Sequence, residues 1–224
     1  MTASPGDDPV GPSEWAVPGQ VGVGPWPGGP EAWPRDERYD PELLEHGDAR
    51  NVVDAYRYWR RDAVAAELAA RAHPFHVAIE NFGHDHNIGT VVRTANAFAA
   101  AGVHIVGRRR WNRRGAMVTD RYLQVHHHDT VAGLAAFAAE HALTVVAVDN
   151  TPGAQRLETV ELPRHCMLLF GQEGPGVTGE GHAAAALTVS IAQFGSTRSI
   201  NAGVAAGIAM HAWVRRHADL SGAW

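Results

Sequence analysis

Val189-Ser190-Ile191-Ala192-Gln193-Phe194-Gly195-Ser196-Thr197-Arg198-Ser199-Ile200-Asn201-Ala202-Gly203-Val204-Ala205-Ala206-Gly207-Ile208-Ala209-Met210-His211-Ala212-Trp213-Val214 is the stretch that organises this chain. It opens with a short apolar run ending at Ile191, the pattern of a buried strand end. A polar, glycine-bearing loop follows from Gln193 to Ser199. A helix comes next, and Ser199 or Asn201 can cap its first free amides. That helix is apolar almost all round, which predicts burial. Gly203 and Gly207 lie four apart on one face, where small residues let another helix approach closely. At about 14 residues the helix is shorter than the ~20 that a bilayer requires. A polar loop held between two buried elements is a common way to build a small-molecule site.

Working outward, the 224 residues and their 45% hydrophobic content allow one sizeable domain with an appendage. The net charge of -5 means that any polyanion must be met by a local patch. The single cysteine, Cys166, excludes an internal disulfide framework and a cysteine-rich zinc site. It suits a reducing compartment, and residues 1–20 show no basic start followed by an apolar core. The expected location is cytoplasmic, with no membrane segment.

Residues 1–40 carry eight prolines and seven glycines and few aliphatics, which predicts a flexible tail. Trp15, Trp26 and Trp33 are unusual for a linker and suit packing on a surface or stacking on bases. Residues 41–74 read as a helical extension, with Val52, Val53, Tyr56, Trp59, Val64 and Leu68 at three- and four-residue steps. Within it, Tyr56-Arg57-Tyr58-Trp59-Arg60-Arg61 fits either a nucleic-acid surface or an ordinary amphipathic helix. From residue 75 the pattern alternates. Val77-Ala78-Ile79 reads as a strand, Ile88 to Ala101 as a helix closed by Gly102, and Val103 to Val106 as a strand. A helix over 130–141, strands at 143–148 and 167–170, and a short helix near 179–186 lead to the final strand and helix. This is βαβ alternation, which predicts a parallel sheet covered by helices on both faces.

Ligands of open parallel sheets sit at the carboxyl ends of the strands, and three loops lie there. The first leads into Asn87-Ile88-Gly89-Thr90-Val91-Val92-Arg93. A cation so near a helix N-terminus opposes the backbone dipole, so Arg93 suggests an anionic partner. The second is Phe170-Gly171-Gln172-Glu173-Gly174-Pro175-Gly176, whose three glycines let the backbone approach a ligand. It lacks the lysine and hydroxyl residue of a phosphate-binding loop. The third carries Ser199 and Asn201.

These three stretches, in this order and spacing, resemble the three motifs of the SpoU/TrmH family, the SPOUT-class RNA ribose methyltransferases. The resemblance covers about residues 76–216. It implies that 75–224 is a SPOUT methyltransferase domain with a deep C-terminal trefoil knot, an exception to the rule against threaded chains. It implies S-adenosylmethionine as cofactor, held by Val148, Gly171, Ile191, Ser199 and Ile200. It implies Asn87, Arg93, Glu173, Ser199 and Asn201 as catalytic candidates, and a homodimer through the C-terminal helix. The chain has Ile191-Ala192-Gln193 where the family usually has Ile-Pro-Met, and Ser199-Ile200-Asn201-Ala202-Gly203 where it usually has Ser-Leu-Asn-Val-Ser. The reaction implied is methylation of a ribose 2'-hydroxyl of tRNA or rRNA. The alternative is an RNA-binding protein of the same fold with lost or altered catalysis.

Arg108, Arg109, Arg110, Arg113 and Arg114 surround Trp111 just after a strand, a focused positive patch expected to bind RNA. His84-Asp85-His86 and His126-His127-His128 lack a matching ligand set, so no metal is expected. His84 and His86 are expected to flank the RNA-facing loop.

Overall fold

The computed structural model describes residues 22–83 and 87–222 and divides the chain into two compact units, one ending at Glu67 and one beginning at Leu68. Trp15, the first half of the Pro/Gly-rich segment, and His84 to His86 lie outside the described residues.

In the first unit, Gly22 to Asp40 is not plain tail. Val23 forms a bridge with Asp48, and Tyr39 with Trp59. Val23, Leu44 and Tyr58 form a small core against which Trp26, Trp33, Tyr39 and Leu43 pack. Helix α1 (Pro41–His46) is capped by the Asp40 carboxylate, which accepts from the Glu42 amide at 3.0 Å. Gly47, at φ 93°, ends it by donating to Leu43 O. Asp48 is fully buried and accepts from the Tyr58 amide at 2.9 Å and from the Arg50 guanidinium at 2.8 and 2.6 Å. Burial pulls its pKa up, but the Arg50 bonds and the amide donors outweigh that and leave it below the usual carboxylate value.

The continuous helix expected over 41–72 is therefore broken. It becomes α1, a 3-10 turn at Asp54–Tyr56, and helix α2 (Arg61–Ala70). The basic-aromatic hexapeptide inside it is structural. Tyr58 and Trp59 are buried, and the Tyr58 hydroxyl donates to Gly24 O at 2.6 Å. Arg57 donates to the carbonyls of Asp48 and Arg50 at 3.2 and 2.6 Å. The period of three and four was a set of separate packing contacts, not one helix face.

The second unit is a parallel sheet. Its strands are β1 (His73–Asn81), β2 (Ala100–Gly107), β3 (Val125–His128), β4 (Thr144–Val148), β5 (Gln155–Arg156), β6 (Cys166–Phe170) and β7 (Leu187–Ser190). Their order is β3-β2-β1-β6-β4-β7-β5, and every pairing is parallel. Alternation assigns the two faces. Phe75, Val77 and Ile79, with Leu168, Phe170, Val146 and Val148, meet helices α3 (Ile88–Ala97) and α6 (Ala202–His217). Ala78, Met167, Leu169, Val145 and Ala147 meet helix α4 (Val131–Glu140), with Ala184 of α5 (Gly179–Ala184) packed alongside. Helices thus cover both faces, as an all-parallel sheet requires.

Two details differ from the sequence reading. Helix α3 stops early, with Ala99 at φ 49°, and Gly102 sits inside β2. A Cβ at Gly102 would lie 3.1 Å from His76 Nδ1, so this glycine answers a side-chain crowd and not a helix end. Strands β3 and β5 were not anticipated. β3 is the histidine triplet itself, and β5 is two residues at an edge. His104 stacks on His126 with 4.7 Å between centroids and hydrogen-bonds His76 and His128, each at 2.9 Å, under Phe137 of α4. Burial pushes His76 down to about 4 and His104 down to about 2, with the neighbouring histidines adding to it. The triplet is a half-buried edge strand packed against His104 and Phe137, and among the described residues no group of three or more ligands is set to hold a metal.

Candidate functional site

The carboxyl ends of β4, β6 and β7 open into a cleft of about 700 Å³. Val148, Gly171, Glu173, Ile191, Ser199, Ile200 and Asn201 line it, so seven of the expected site residues converge there. Asn87 joins them through hydrogen bonds. Its Nδ2 donates to Glu173 Oε1 at 2.8 Å. Asn201 Nδ2 donates to the same oxygen at 2.5 Å and to Asn87 Oδ1 at 2.9 Å. One residue from each of the three loops closes this triangle. Asn201 also caps α6, its Oδ1 accepting from the amides of Gly203 and Val204 at 2.9 and 3.2 Å. Asn87 stands where α3 would be capped, but its side chain makes no cap. Its donors and acceptor go to the triangle instead.

The second loop is tightly folded. Gln172 and Gly176 exchange backbone hydrogen bonds at 3.1 and 3.0 Å. Gly174 and Gly176 take φ of 90° and 74°, where only glycine is unstrained. A Cβ at Gly171 would fall 1.9 Å from the carbonyl carbon of Gly176. Asp149, just past β4, ties the loop down by accepting from the Val177 amide at 2.9 Å and from His182 Nε2 at 3.1 Å. Buried Glu80 of β1 accepts from the Thr178 amide at 2.9 Å and from its hydroxyl at 2.5 Å. Asn150 Nδ2 donates to Arg198 O at 2.9 Å and so links the third loop to β4. Asp149, Asn150 and Arg198 line the cleft and were missed from the sequence. The signal for the first two was a polar pair directly after the strand at 143–148.

Arg93 is placed differently from expectation. It is exposed on α3, is not among the cleft-lining residues, and makes no hydrogen bond or ion pair among the described residues. The rise of one to two helical turns beyond Asn87 carries it past the triangle. The arginine loop is anchored beside the same helix end. A Cβ at Gly89 would lie 2.7 Å from Gly115 Cα, and Asn81 Nδ2 holds the carbonyls of Arg108 and Arg110 at 2.7 and 3.2 Å. Arg108, Arg109, Arg110, Arg113 and Arg114 are all exposed. Trp111 is not available for stacking, because it is buried in the core. Arg108 donates to Gly83 O at 3.1 Å, and Arg113 faces Asp120 at 3.5 Å. On the other side of α3, Thr90 packs on Gly203 and Thr94 on Gly207. The small-residue face of α6 is therefore used within the chain. Its outward face leaves Val204 and Ile208 at 54% and 39% exposure, so the helix is not buried all round.

Fold and cleft together define an α/β protein with a ligand site across the ends of a parallel sheet. The chain belongs to the SpoU rRNA methylase family, whose sequence profile matches residues 74–211. It is similar to the tRNA (guanosine(18)-2'-O)-methyltransferase of Escherichia coli K12, 28% identical over 155 residues that cover 67% of this chain and 68% of the relative. An uncharacterized tRNA/rRNA methyltransferase of Mycolicibacterium smegmatis is 31% identical over 70% of this chain and 52% of its own length. Among solved structures, the A. aeolicus TrmH/SpoU tRNA modifying enzyme superposes with a TM-score of 0.61 at 19% identity, covering 70% of this chain and 82% of that one. AviRb of Streptomyces viridochromogenes, solved with AdoMet, gives 0.58 at 23% identity, over 64% and 58%. A TrmH-family structure from Porphyromonas gingivalis gives 0.57 at 21% identity, and this chain spans 61% of it. The first unit falls outside the family match.

Proposed function

We propose that the protein transfers a methyl group from S-adenosylmethionine to a ribose 2'-hydroxyl of tRNA or rRNA. The observation that carries the reading is the Asn87–Glu173–Asn201 triangle at the rim of the cleft, built from all three family motifs. The cleft fits the cofactor. Its volume suits a nucleoside-sized ligand. Its wall joins apolar Val148, Ile191 and Ile200 to the glycine-loop backbone, where Gly174 and Gly176 put no side chain in the way. When bound, the cofactor supplies an already electrophilic sulfonium methyl.

The chain's own residues then orient the acceptor. Glu173 Oε1 is held by two amides, while its second oxygen makes no hydrogen bond among the described residues and is left for a sugar hydroxyl. Fixed donors and acceptors of this kind lower the cost of alignment. Arg93, exposed on α3 outside the cleft, binds a backbone phosphate of the RNA lying across that helix. The arginine loop packed on that helix binds the backbone of the same RNA. We extend the reading to a deep C-terminal trefoil knot, supported by the family match and by the likeness to TrmH/SpoU structures. We also extend it to a homodimer, supported by the exposed Val204 and Ile208 on α6.

Mass spectrometry of nucleosides, after incubating the protein and S-adenosylmethionine with unmodified tRNA and rRNA, tests the function. A 2'-O-methylnucleoside is expected in one RNA class. Methylation of a base alone would overturn the assignment. So would no methylation of either RNA by a protein that binds the cofactor.

A further inference from the structure

The turn after the arginine loop breaks local rules in both its backbone and its side chains. Met117 and Val118 take φ of 48° and 72°, in the left-handed region. A β-branched residue there is an outlier, because its Cβ crowds the following carbonyl. Both side chains are apolar yet half exposed, at 50% and 47%. Neither belongs to a core cluster among the described residues. The turn itself is firmly held. Ala116 is fully buried and Thr119 nearly so, and the Thr119 hydroxyl donates to Ala116 O at 2.6 Å across the turn. The amides of Met117 and Arg121 donate to Arg114 O and Val118 O at 3.2 and 3.1 Å. Buried residues on either side thus hold two apolar side chains outward. Strain kept in a turn fixed in this way points to function.

The surroundings name the partner. Arg109, Arg110, Arg113 and Arg114 stand just before the turn and are exposed, so a polyanion is the complement. Gly115, two residues before Met117, lies against Gly89. A Cβ at Gly89 would be 2.7 Å from Gly115 Cα and 2.8 Å from the Ala116 nitrogen. Gly89 is two residues beyond Asn87 of the triangle, so the turn is anchored on the helix end that carries the rim of the cleft. A nucleotide whose sugar enters a cleft leaves its stack, and the base beside it loses a partner. Buried Trp111 cannot supply the missing face. We propose that Met117 and Val118 form an apolar wedge that packs on an unstacked RNA base beside the nucleotide held at the cleft. This rests on the RNA reading above and narrows it to unpaired RNA, not a continuous duplex.

The test is filter binding of two RNAs, a hairpin with a long unpaired loop and the fully paired duplex of its stem. Each is titrated with the wild type and with Met117→Ser/Val118→Asn. Asparagine accepts the left-handed region more readily than valine, so the variant should melt no lower than the wild type. It should lose roughly 5- to 20-fold in affinity for the hairpin and no more than about twofold for the duplex. The salt dependence of hairpin binding should keep its slope, since no phosphate contact is removed. Undiminished hairpin affinity, or an equal loss on both RNAs, would overturn the proposal. A flattened salt slope would overturn it too, by showing that the turn only positions the arginines. So would a variant that falls from dimer to monomer in sedimentation, which would give the wedge to a contact between copies. If the wild type binds neither RNA, the RNA reading itself fails, and this proposal with it.

Discussion

Acidification from pH 7 to pH 5 should destabilise the fold through the histidines between the sheet and α4. His104 is buried and His76 half-buried; they are hydrogen-bonded to one another and pushed down to about 2 and about 4 from an ordinary 6.5. In the unfolded chain both take up protons as the pH falls through 6.5, while the folded protein refuses them. Unfolding therefore binds protons, and stability falls as the pH falls. The contribution is fully present above 6.5. It is lost for His76 down to about 4, below which both states are protonated, and for His104 down to about 2. At 1.36 kcal/mol per pH unit, each group gives up about 2 kcal/mol by pH 5, about 4 kcal/mol for the pair. That is a large part of a typical 5–15 kcal/mol stability. His126 and His128, also lowered by burial, add to it in the same direction. Urea midpoints by far-UV circular dichroism at pH 7, 6 and 5 would measure the slope. In His104→Leu the slope should become shallower, by up to about half, whatever the variant's stability at pH 7. A flat profile between pH 6.5 and 5, or an unchanged slope in the variant, would refute the reasoning.

Three further outcomes are expected. Gly171→Ala should abolish cofactor binding in calorimetry and lower the melting temperature, since its methyl group would meet the Gly176 backbone at 1.9 Å. Asn201→Ala should cost about 1 kcal/mol of stability through the lost α6 cap, and methyl transfer should fall far more than that cap loss explains, read as kcat with saturating RNA. Replacing Arg109, Arg110 and Arg114 by Ala should weaken RNA binding and flatten its logarithmic dependence on salt by roughly 0.7–0.9 for each phosphate no longer neutralised, measured by filter binding.

Much of this protein was legible one-dimensionally. The alternation of buried strands with amphipathic helices from His76 onward specified a parallel α/β sheet, because period and length are local properties. Asn201 as a cap, and the second loop as a tight glycine turn, followed for the same reason. The first unit was misjudged because its prolines and glycines shape turns around Tyr58 and the buried Asp48, and composition alone cannot distinguish a turn-rich core from a tail. Tertiary structure alone decided that residues 86 and 28 positions apart share one Glu173 oxygen. It also decided that the glycines of α6 serve α3, that Arg93 stands outside the cleft, and that three of the histidines form a hydrogen-bonded stack. Each of those depends on which distant strand lies beside which, a matter of chain crossing that no local pattern of side chains encodes.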